Sequence, residues 1–179
     1  MKKNLVAALF SFTAFGAMNA VASDGTVNFI GTITGTGCDS SVESAGVTTG
    51  DVNMGNVAKT AFGGVGSTAT GTASATAFNI LLTNCPASVA TATVKFDGTP
   101  VNGDNSIIAL TQESGVADGV GIQLSDSTGV LSIGTASAPY SITSGSATNT
   151  LPFIARYIQT KSTVVEGKAN SVVTFTVNY

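Results

Sequence analysis

The amino-acid sequence predicts an all-β protein that folds as a β-sandwich. Along the 179 residues, short runs of alternating apolar and polar side chains are separated by turn sequences rich in Gly, Asp, Asn and Ser. Alternation with a period of two is the pattern of a strand that buries one of its faces. No amphipathic helix of convincing length interrupts the series, and about seven or eight strands with short turns are typical of a sandwich.

The alternating runs follow one another through most of the chain. The first places Phe78, Ile80 and Leu82 on one face, and the second ends in Asp97-Gly98, a dipeptide expected to form a tight turn. The runs occupy residues 76–85, 92–99, 105–111, 119–126, 129–133 and 148–160. Each is long enough to cross a sandwich once, and no linker or internal repeat divides them into two domains.

The first 22 residues are predicted to be a secretory signal peptide. Lys2 and Lys3 form a basic start, residues 5–17 are apolar, and Ala20-Val21-Ala22 is a small-x-small cleavage site. A membrane anchor is the weaker alternative, because the apolar run is short and a polar stretch follows at once. Removal of residues 1–22 from the 179 leaves 157, which is the size of one domain.

Charge excludes several classes of function. The mature chain has five basic residues against ten acidic ones, a net charge of −5. Such a surface argues against binding to nucleic acid or to anionic membranes. Direct membrane insertion is not expected either, because the mature sequence has no further long apolar stretch. Sparse charge is also unusual for a free monomer. It favours a protein that works within an assembly.

The cysteines predict one disulfide and no metal site. Cys38 and Cys85 are the two cysteines of the chain, and both lie in the exported part. In an oxidising compartment they are expected to pair, closing a loop of 47 residues, which stabilises the fold by about 3 to 4 kcal/mol in the chain-entropy model. The chain has no histidine, so two thiols cannot complete the usual zinc ligand set. No cofactor is expected.

The sequence also argues against an enzyme. No cysteine or histidine pattern suggests a nucleophile. The acidic residues are scattered in turn sequences such as residues 96–105, where Asp97 and Asp104 are turn-forming residues rather than general acids. No catalytic residue is therefore assigned.

Two strands, one at each end of the mature chain, have no evident partner. At the C-terminal end Val173, Phe175, Val177 and Tyr179 share one face. Near the N-terminus, residues 23–38 form an extended stretch with a glycine on its apolar face; the residues of that face are Val27, Phe29, Gly31 and Ile33. A glycine there marks close approach to another backbone or side chain. Unpaired apolar strands of this kind invite pairing with another chain.

These ends and the cysteines between them resemble the pilins of chaperone–usher fimbriae, in the type 1 and P pilus family. The similarity lies in the order of several motifs: the alternating extension before Cys38, the second-cysteine strand FNILLTNC, the later strands GVGIQL and LPFIARY, and the closing segment GKANSVVTFTVNY. It covers essentially the whole mature chain.

The resemblance implies an incomplete immunoglobulin-like β-sandwich that lacks its last strand and receives it from a neighbouring subunit. It divides the chain into a signal peptide (1–22), a donor-strand extension (23–37) and a pilin domain (38–179). The extension would supply Val27, Phe29, Gly31 and Ile33 as the donor strand. The acceptor groove would be lined by Val173, Phe175, Val177 and Tyr179.

The resemblance also implies partners and a location. The expected partners are identical or related pilin subunits, a periplasmic chaperone that lends a strand to the groove and grips the carboxylate of Tyr179, and an outer-membrane usher. The chain would be exported through the periplasm into a cell-surface fimbria. The alternative is a secreted monomeric adhesin or carbohydrate-binding sandwich, but that function needs a ligand face, usually with exposed aromatic residues, and the chain has no tryptophan.

Overall fold

The computed structural model describes residues 37–179 except residue 49 and residues 72–74. The predicted signal peptide and the predicted donor-strand residues Val27, Phe29, Gly31 and Ile33 lie outside the described residues. Within the described part the regular structure is almost entirely β. Its strands are β1 (Asp39–Glu43), β2 (Thr76–Thr83), β3 (Thr91–Asp97), β4 (Pro100–Val101), β5 (Asp104–Ile108), β6 (Val120–Asp126), β7 (Gly129–Val130), β8 (Tyr140–Ser141), β9 (Asn149–Gln159) and β10 (Thr174–Asn178), with one short 3₁₀ turn at Lys59–Ala61.

The strands form two antiparallel sheets. The larger sheet has the order β1-β2-β9-β6-β5-β4, with β7 paired to β6, and the smaller has the order β10-β3-β8. The longest strand, β9, lies in the interior of the large sheet, between β2 and β6. The predicted all-β sandwich is confirmed, and the seven strands of five or more residues agree with the expected seven or eight.

The core lies between the sheets and is built from the alternating faces that the sequence predicts. In β9 the side chains of Leu151, Phe153 and Ala155 are at most 3% exposed, whereas those of Thr150 and Pro152 face outwards. In β2, Phe78, Ile80 and Leu82 are buried in the same way.

Three phenylalanines join the two sheets. Phe78 of β2 lies opposite Phe153 of β9 in the strand register, and their rings stack with centroids 5.6 Å apart. Phe96 of β3, in the other sheet, meets Phe153 edge-on at 5.1 Å. Aromatic contacts with this geometry add to the burial energy. They lie in the single cluster of buried side chains that spans both layers.

The prediction of a tight turn at Asp97-Gly98 is wrong. β3 ends at Asp97, and the chain then crosses from the small sheet to β4 of the large sheet. A side chain at position 98 would start 2.9 Å from Cγ1 of Val173, so the glycine permits a close crossing rather than a hairpin. The tight turn lies five residues later at Asn102-Gly103, between β4 and β5, where both residues have positive φ (49° and 82°).

The disulfide between Cys38 and Cys85 is present, as predicted. It joins the residue before β1 to the second residue after β2, so it ties together two strands that are already paired. Buried Asn149 packs beside it, accepting a hydrogen bond from the Thr143 amide at 2.7 Å and donating one to the Thr143 carbonyl at 2.9 Å. This end of the sandwich is therefore tied both covalently and by hydrogen bonds.

In the part of the chain that the structure describes, no helix has the length and apolar character needed to cross a membrane.

Candidate functional site

One edge of strand β10 has no partner among the described residues. On its other edge β10 pairs with β3, with Phe175 opposite Phe96 and Val177 opposite Val94. The small sheet therefore ends at β10. An unpaired strand presents a row of free backbone N–H and C=O groups, to which a further strand can bind.

A cavity of about 670 Å³ opens beside the segment that leads into β10. One wall is the extended segment 50–55 and the other is the segment 169–173. The floor consists of core side chains from the large sheet, namely Phe78, Ile122, Leu124, Ala155 and Tyr157. Among the described residues no strand covers the interior of the sandwich here.

A second cavity of about 300 Å³ continues the first. The two share four lining residues, which are Gly55, Tyr157, Ala169 and Asn170. The second cavity runs on between residues 55–57 and residues 164–168. We call the two cavities together the groove. It is an elongated depression between two stretches of extended chain, which is the shape that a strand would fill.

The first wall of the groove is a strand-like segment without strand pairing. Val52, Met54 and Val57 are half-buried and pack against the core, whereas Asp51, Asn53 and Gly55 are exposed. The segment forms no backbone ladder with any other described part of the chain. It is held by its side chains and by a 3.5 Å hydrogen bond from the Thr76 hydroxyl to the Asn53 carbonyl. Its backbone groups are available to a strand lying in the groove.

The second wall is held firmly from its outer side. The amide of Ala117 donates to the carbonyl of Lys168, and the amide of Lys168 donates to the carbonyl of Gly115, both at 2.8 Å. Gly167 is required here, because a side chain would start 2.5 Å from the Ala117 nitrogen. The tyrosine hydroxyl of Tyr157 also donates to the Ala169 carbonyl at 2.9 Å. The wall is therefore a fixed boundary of the groove.

Ion pairs concentrate on this second wall. Lys168 binds Glu113 at 3.1 Å and Lys161 binds Asp118 at 2.7 Å. These hydrogen bonds from the lysines lower the pKa of both carboxyl groups. A further hydrogen bond from Asn170 also lowers the pKa of Glu113. At the far end Lys59 lies 3.5 Å from Glu166, so that this pair connects the two walls. Two of the four ion pairs of the described residues thus include residues that line the groove, whereas Lys161 and Asp118 lie outside its lining.

Comparisons with known proteins identify the family. The sequence profile of the family described as "Fimbrial protein" matches residues 27–179. The chain belongs to the fimbrial protein family. It is 35% identical to the type-1 fimbrial protein A chain of Escherichia coli strain K12, over 98% of this chain and 94% of that protein.

Solved structures of similar proteins agree with the assignment of this chain to the fimbrial protein family. An antigen and type I fimbria protein of Burkholderia pseudomallei is 41% identical and superposes with a TM-score of 0.56, over 82% of this chain and 91% of that one. The P pilus rod subunit PapA shares the fold at 20% identity, with a TM-score of 0.62 over 80% of this chain and 99% of PapA. The immunoglobulin-like fold of pilins, expected from the sequence, is confirmed.

Membership of the family gives the function of the chain. It is a structural subunit of a fimbria, exported through the periplasm to the cell surface. Other pilin subunits are its partners, because pilus subunits polymerise with one another. The family is not enzymatic. Within the described residues no group of three or more His, Cys, Asp or Glu side chains is arranged to hold a metal ion.

The four residues predicted to line an acceptor groove do not share one environment in this fimbrial subunit. Val173 lines the larger cavity. Phe175 and Val177 are half-buried and pack against the core from β10. Tyr179 is 50% exposed, and its hydroxyl contacts the backbone of Cys38. Their predicted role in accepting a donor strand and contacting a chaperone stays a prediction.

Sequence reasoning missed the first wall of the groove. Val52 and Met54 alternate with Asp51, Asn53 and Gly55 in the manner of a strand, and this signal could have been read from the sequence. The run is short and ends in a glycine, so it was not distinguishable from a loop without its packing partners. The floor residues were predicted only as core, because nothing in a strand pattern shows which part of a core remains uncovered.

Proposed function

We propose that this fimbrial subunit polymerises by donor-strand exchange. In this mechanism residues 23–37 of one subunit, which we call the arm, enter the groove of the next subunit and pair with the open edge of β10. The observation that carries the proposal is the edge of β10 that has no partner in the described part of the chain, together with the adjoining cavity whose floor is core side chains. The second strand-like wall at residues 50–57 supports it, since an inserted strand would have backbone groups on both sides.

The composition of the arm suits such a groove. Val27, Phe29 and Ile33 share one face of the arm, and full burial of each is worth roughly 1.5 to 3 kcal/mol before ordering costs. Gly31 lies on the same face, where a shallow part of the groove would leave no room for a side chain. Alternate side chains in pockets would set the register, and the backbone ladder would add affinity. The resulting joint should separate very slowly.

Substitutions in the arm test the proposal directly. Gly31→Val and Phe29→Asp should abolish incorporation into fibres, because the first adds a side chain at the shallow position and the second places a charge in an apolar groove. Thr32→Ser, on the outward face, is the matched control and should assemble normally. The measurement is fibre yield by electron microscopy, together with the amount of folded subunit recovered from the periplasm. Normal fibres from Gly31→Val would show that the arm is not the donor or lies in another register.

A periplasmic chaperone and an outer-membrane usher complete the proposal. An open apolar edge tends to aggregate unless it is covered, so the subunit requires a transient strand from a chaperone before the arm of the next subunit replaces it. Coexpression with and without the cognate chaperone tests this step. Without it the subunit should be degraded or aggregated. Abundant, stable monomer in its absence, with a single species in native electrophoresis rather than a ladder of polymers, would favour the monomeric adhesin instead.

A further inference from the structure

The root of the arm is bound to the end of the acceptor strand of the same subunit. The hydroxyl of Tyr179, directly after β10, accepts a hydrogen bond from the Cys38 amide at 3.1 Å and donates one to the Cys38 carbonyl at 3.3 Å. These residues are 141 positions apart in the chain. One side chain thus satisfies both backbone groups of the residue at which the domain begins.

Gly37 completes this contact. The ring of Tyr179 lies against its Cα, so that a side chain at position 37 would start 3.0 Å from Cζ and 3.2 Å from the hydroxyl oxygen. A side chain there would require the tyrosine ring to move away, so the ring keeps this position only while residue 37 is glycine. A glycine next to a domain would otherwise be a free hinge, because it has the widest choice of backbone angles. The tyrosine ring restricts that choice.

Cys38 is a firm anchor for this arrangement. Its disulfide joins it to Cys85, which is 2% exposed, and so to the core beside β2. The contact of Tyr179 with Gly37 and Cys38, which we call the clasp, therefore connects a rigid point of the large sheet with the end of the small one. Gly37, the residue next to the arm's predicted donor strand, lies at this connection.

We infer that the clasp sets the direction in which the arm leaves the domain, and that Tyr179 thereby sets the angle between successive subunits in the fibre. The inference rests on the proposed function, since the arm matters for fibre geometry only if it joins two subunits. In the proposed donor-strand exchange the arm is held by the next subunit, so the direction in which it leaves its own domain sets how the two subunits are oriented. Tyr179 is in this view a positioning residue for assembly rather than a lining residue of the groove.

Tyr179→Phe isolates the clasp, because it keeps the ring and removes both hydrogen bonds. Fibres should form in normal amount, but the angle between successive subunits in cryo-electron micrographs should spread and the fibres should bend more easily. The Cys38 amide should exchange its hydrogen about tenfold faster, the factor that corresponds to one net hydrogen bond. Tyr140→Phe is the matched control, since its hydroxyl bonds Pro152 away from the arm root.

Gly37→Ala tests the clasp by changing the residue against which the Tyr179 ring packs. Its methyl group would displace the tyrosine ring, so the variant should reproduce both the faster exchange at Cys38 and the broader angular spread. An unchanged Cys38 exchange rate in Tyr179→Phe would overturn the clasp itself. Faster exchange with an unchanged angular distribution would overturn its role in fibre geometry. Amide exchange can be read on unassembled subunit, so these outcomes are separable from a failure of donor-strand exchange, which the Gly31→Val fibres report.

Discussion

Strands β9 and β10 have the same alternating sequence pattern but very different environments. In β9 the inward residues Leu151 and Phe153 are each 1% exposed, because β2 and β6 flank the strand and the small sheet covers it. In β10 the inward residues Phe175 and Val177 remain half-buried, because the strand has a partner on one edge and the groove lies next to the segment before it.

The difference is between a strand that is paired on both edges and one whose second edge has no partner among the described residues. Strand β9 is hydrogen-bonded to β2 and β6 on its two edges, and its inward side chains are buried. The β10 region has the same apolar character without the same coverage, and so it retains the capacity to gain by binding a further strand. In the proposed mechanism this part of β10 is the surface that a donor strand would complete.

Two phenylalanines provide the sharpest test of this comparison. Phe153→Ala should lower the free energy of unfolding by about 3 to 5 kcal/mol, since it removes the ring that Phe78 and Phe96 contact. Phe175→Ala should lower it by about 1 to 2 kcal/mol, because the side chain is only partly buried in the unassembled subunit. Urea unfolding of the two purified variants measures both values. Equal losses would mean that β10 is as much a part of the core as β9.

The disulfide should have the next largest effect. Cys85→Ser opens a loop of 47 residues and should reduce the free energy of unfolding by about 3 to 4 kcal/mol. The loss falls on the β1-β2 end of the sandwich, so the exported subunit should be recovered in smaller amount. Urea unfolding and quantitation of periplasmic protein measure the two effects. Unchanged stability in the serine variant would show that the paired strands hold this end without the covalent bond.

Two neighbouring valines test whether the inner side of the groove matters for assembly. Both line the larger cavity, but the side chain of Val173 is half-buried against the core, whereas that of Val172 is 79% exposed. Val173→Arg should lower fibre yield about tenfold or more, because a strand lying in the groove would bury an unpaired charge. Val172→Arg is the matched control and should leave the yield within about twofold. Similar losses in both variants would locate the assembly surface outside the groove.

The smallest expected effect concerns the ion pairs on the second wall. Hydrogen bonds from Lys168 and Asn170 keep the pKa of Glu113 below its ordinary value of 4.5. A carboxyl whose folded-state pKa is lowered stabilises the fold above its ordinary pKa, and that contribution disappears as the pH falls through the lowered value. The wall should therefore loosen only in acid, and because the groups are exposed the effect is small.

Lys168→Met makes this last prediction measurable. The pKa of Glu113, followed by the carboxyl chemical shift, should rise towards its ordinary value, and amide exchange at Ala117 should accelerate at a higher pH than in the wild type. Lys59→Met is the control, because Lys59 lies on the first wall and pairs with Glu166 rather than with Glu113. A Glu113 pKa that does not respond to Lys168→Met would show that the lysine is not its main partner.

The amino-acid sequence by itself determined the local features of this protein. Alternation at Phe78, Ile80 and Leu82 predicted a half-buried strand, because side chains in a strand point to opposite faces in turn. Cys38 and Cys85 predicted a disulfide, because no other cysteine was available in an exported chain. The order of these motifs was enough to identify the fold and the family.

Only the tertiary structure decided which contacts form between distant parts of the chain. Asp97-Gly98 has the sequence of a hairpin turn, but Gly98 instead lets the chain cross close to Val173. Tyr179 continues the alternation of β10, yet its hydroxyl reaches Cys38. The wall at residues 50–57 and the ion pairs of Glu113 and Asp118 also depend on partners far along the chain. A periodic pattern records which face of a strand is apolar, whereas the neighbour at each edge depends on how all the strands pack together.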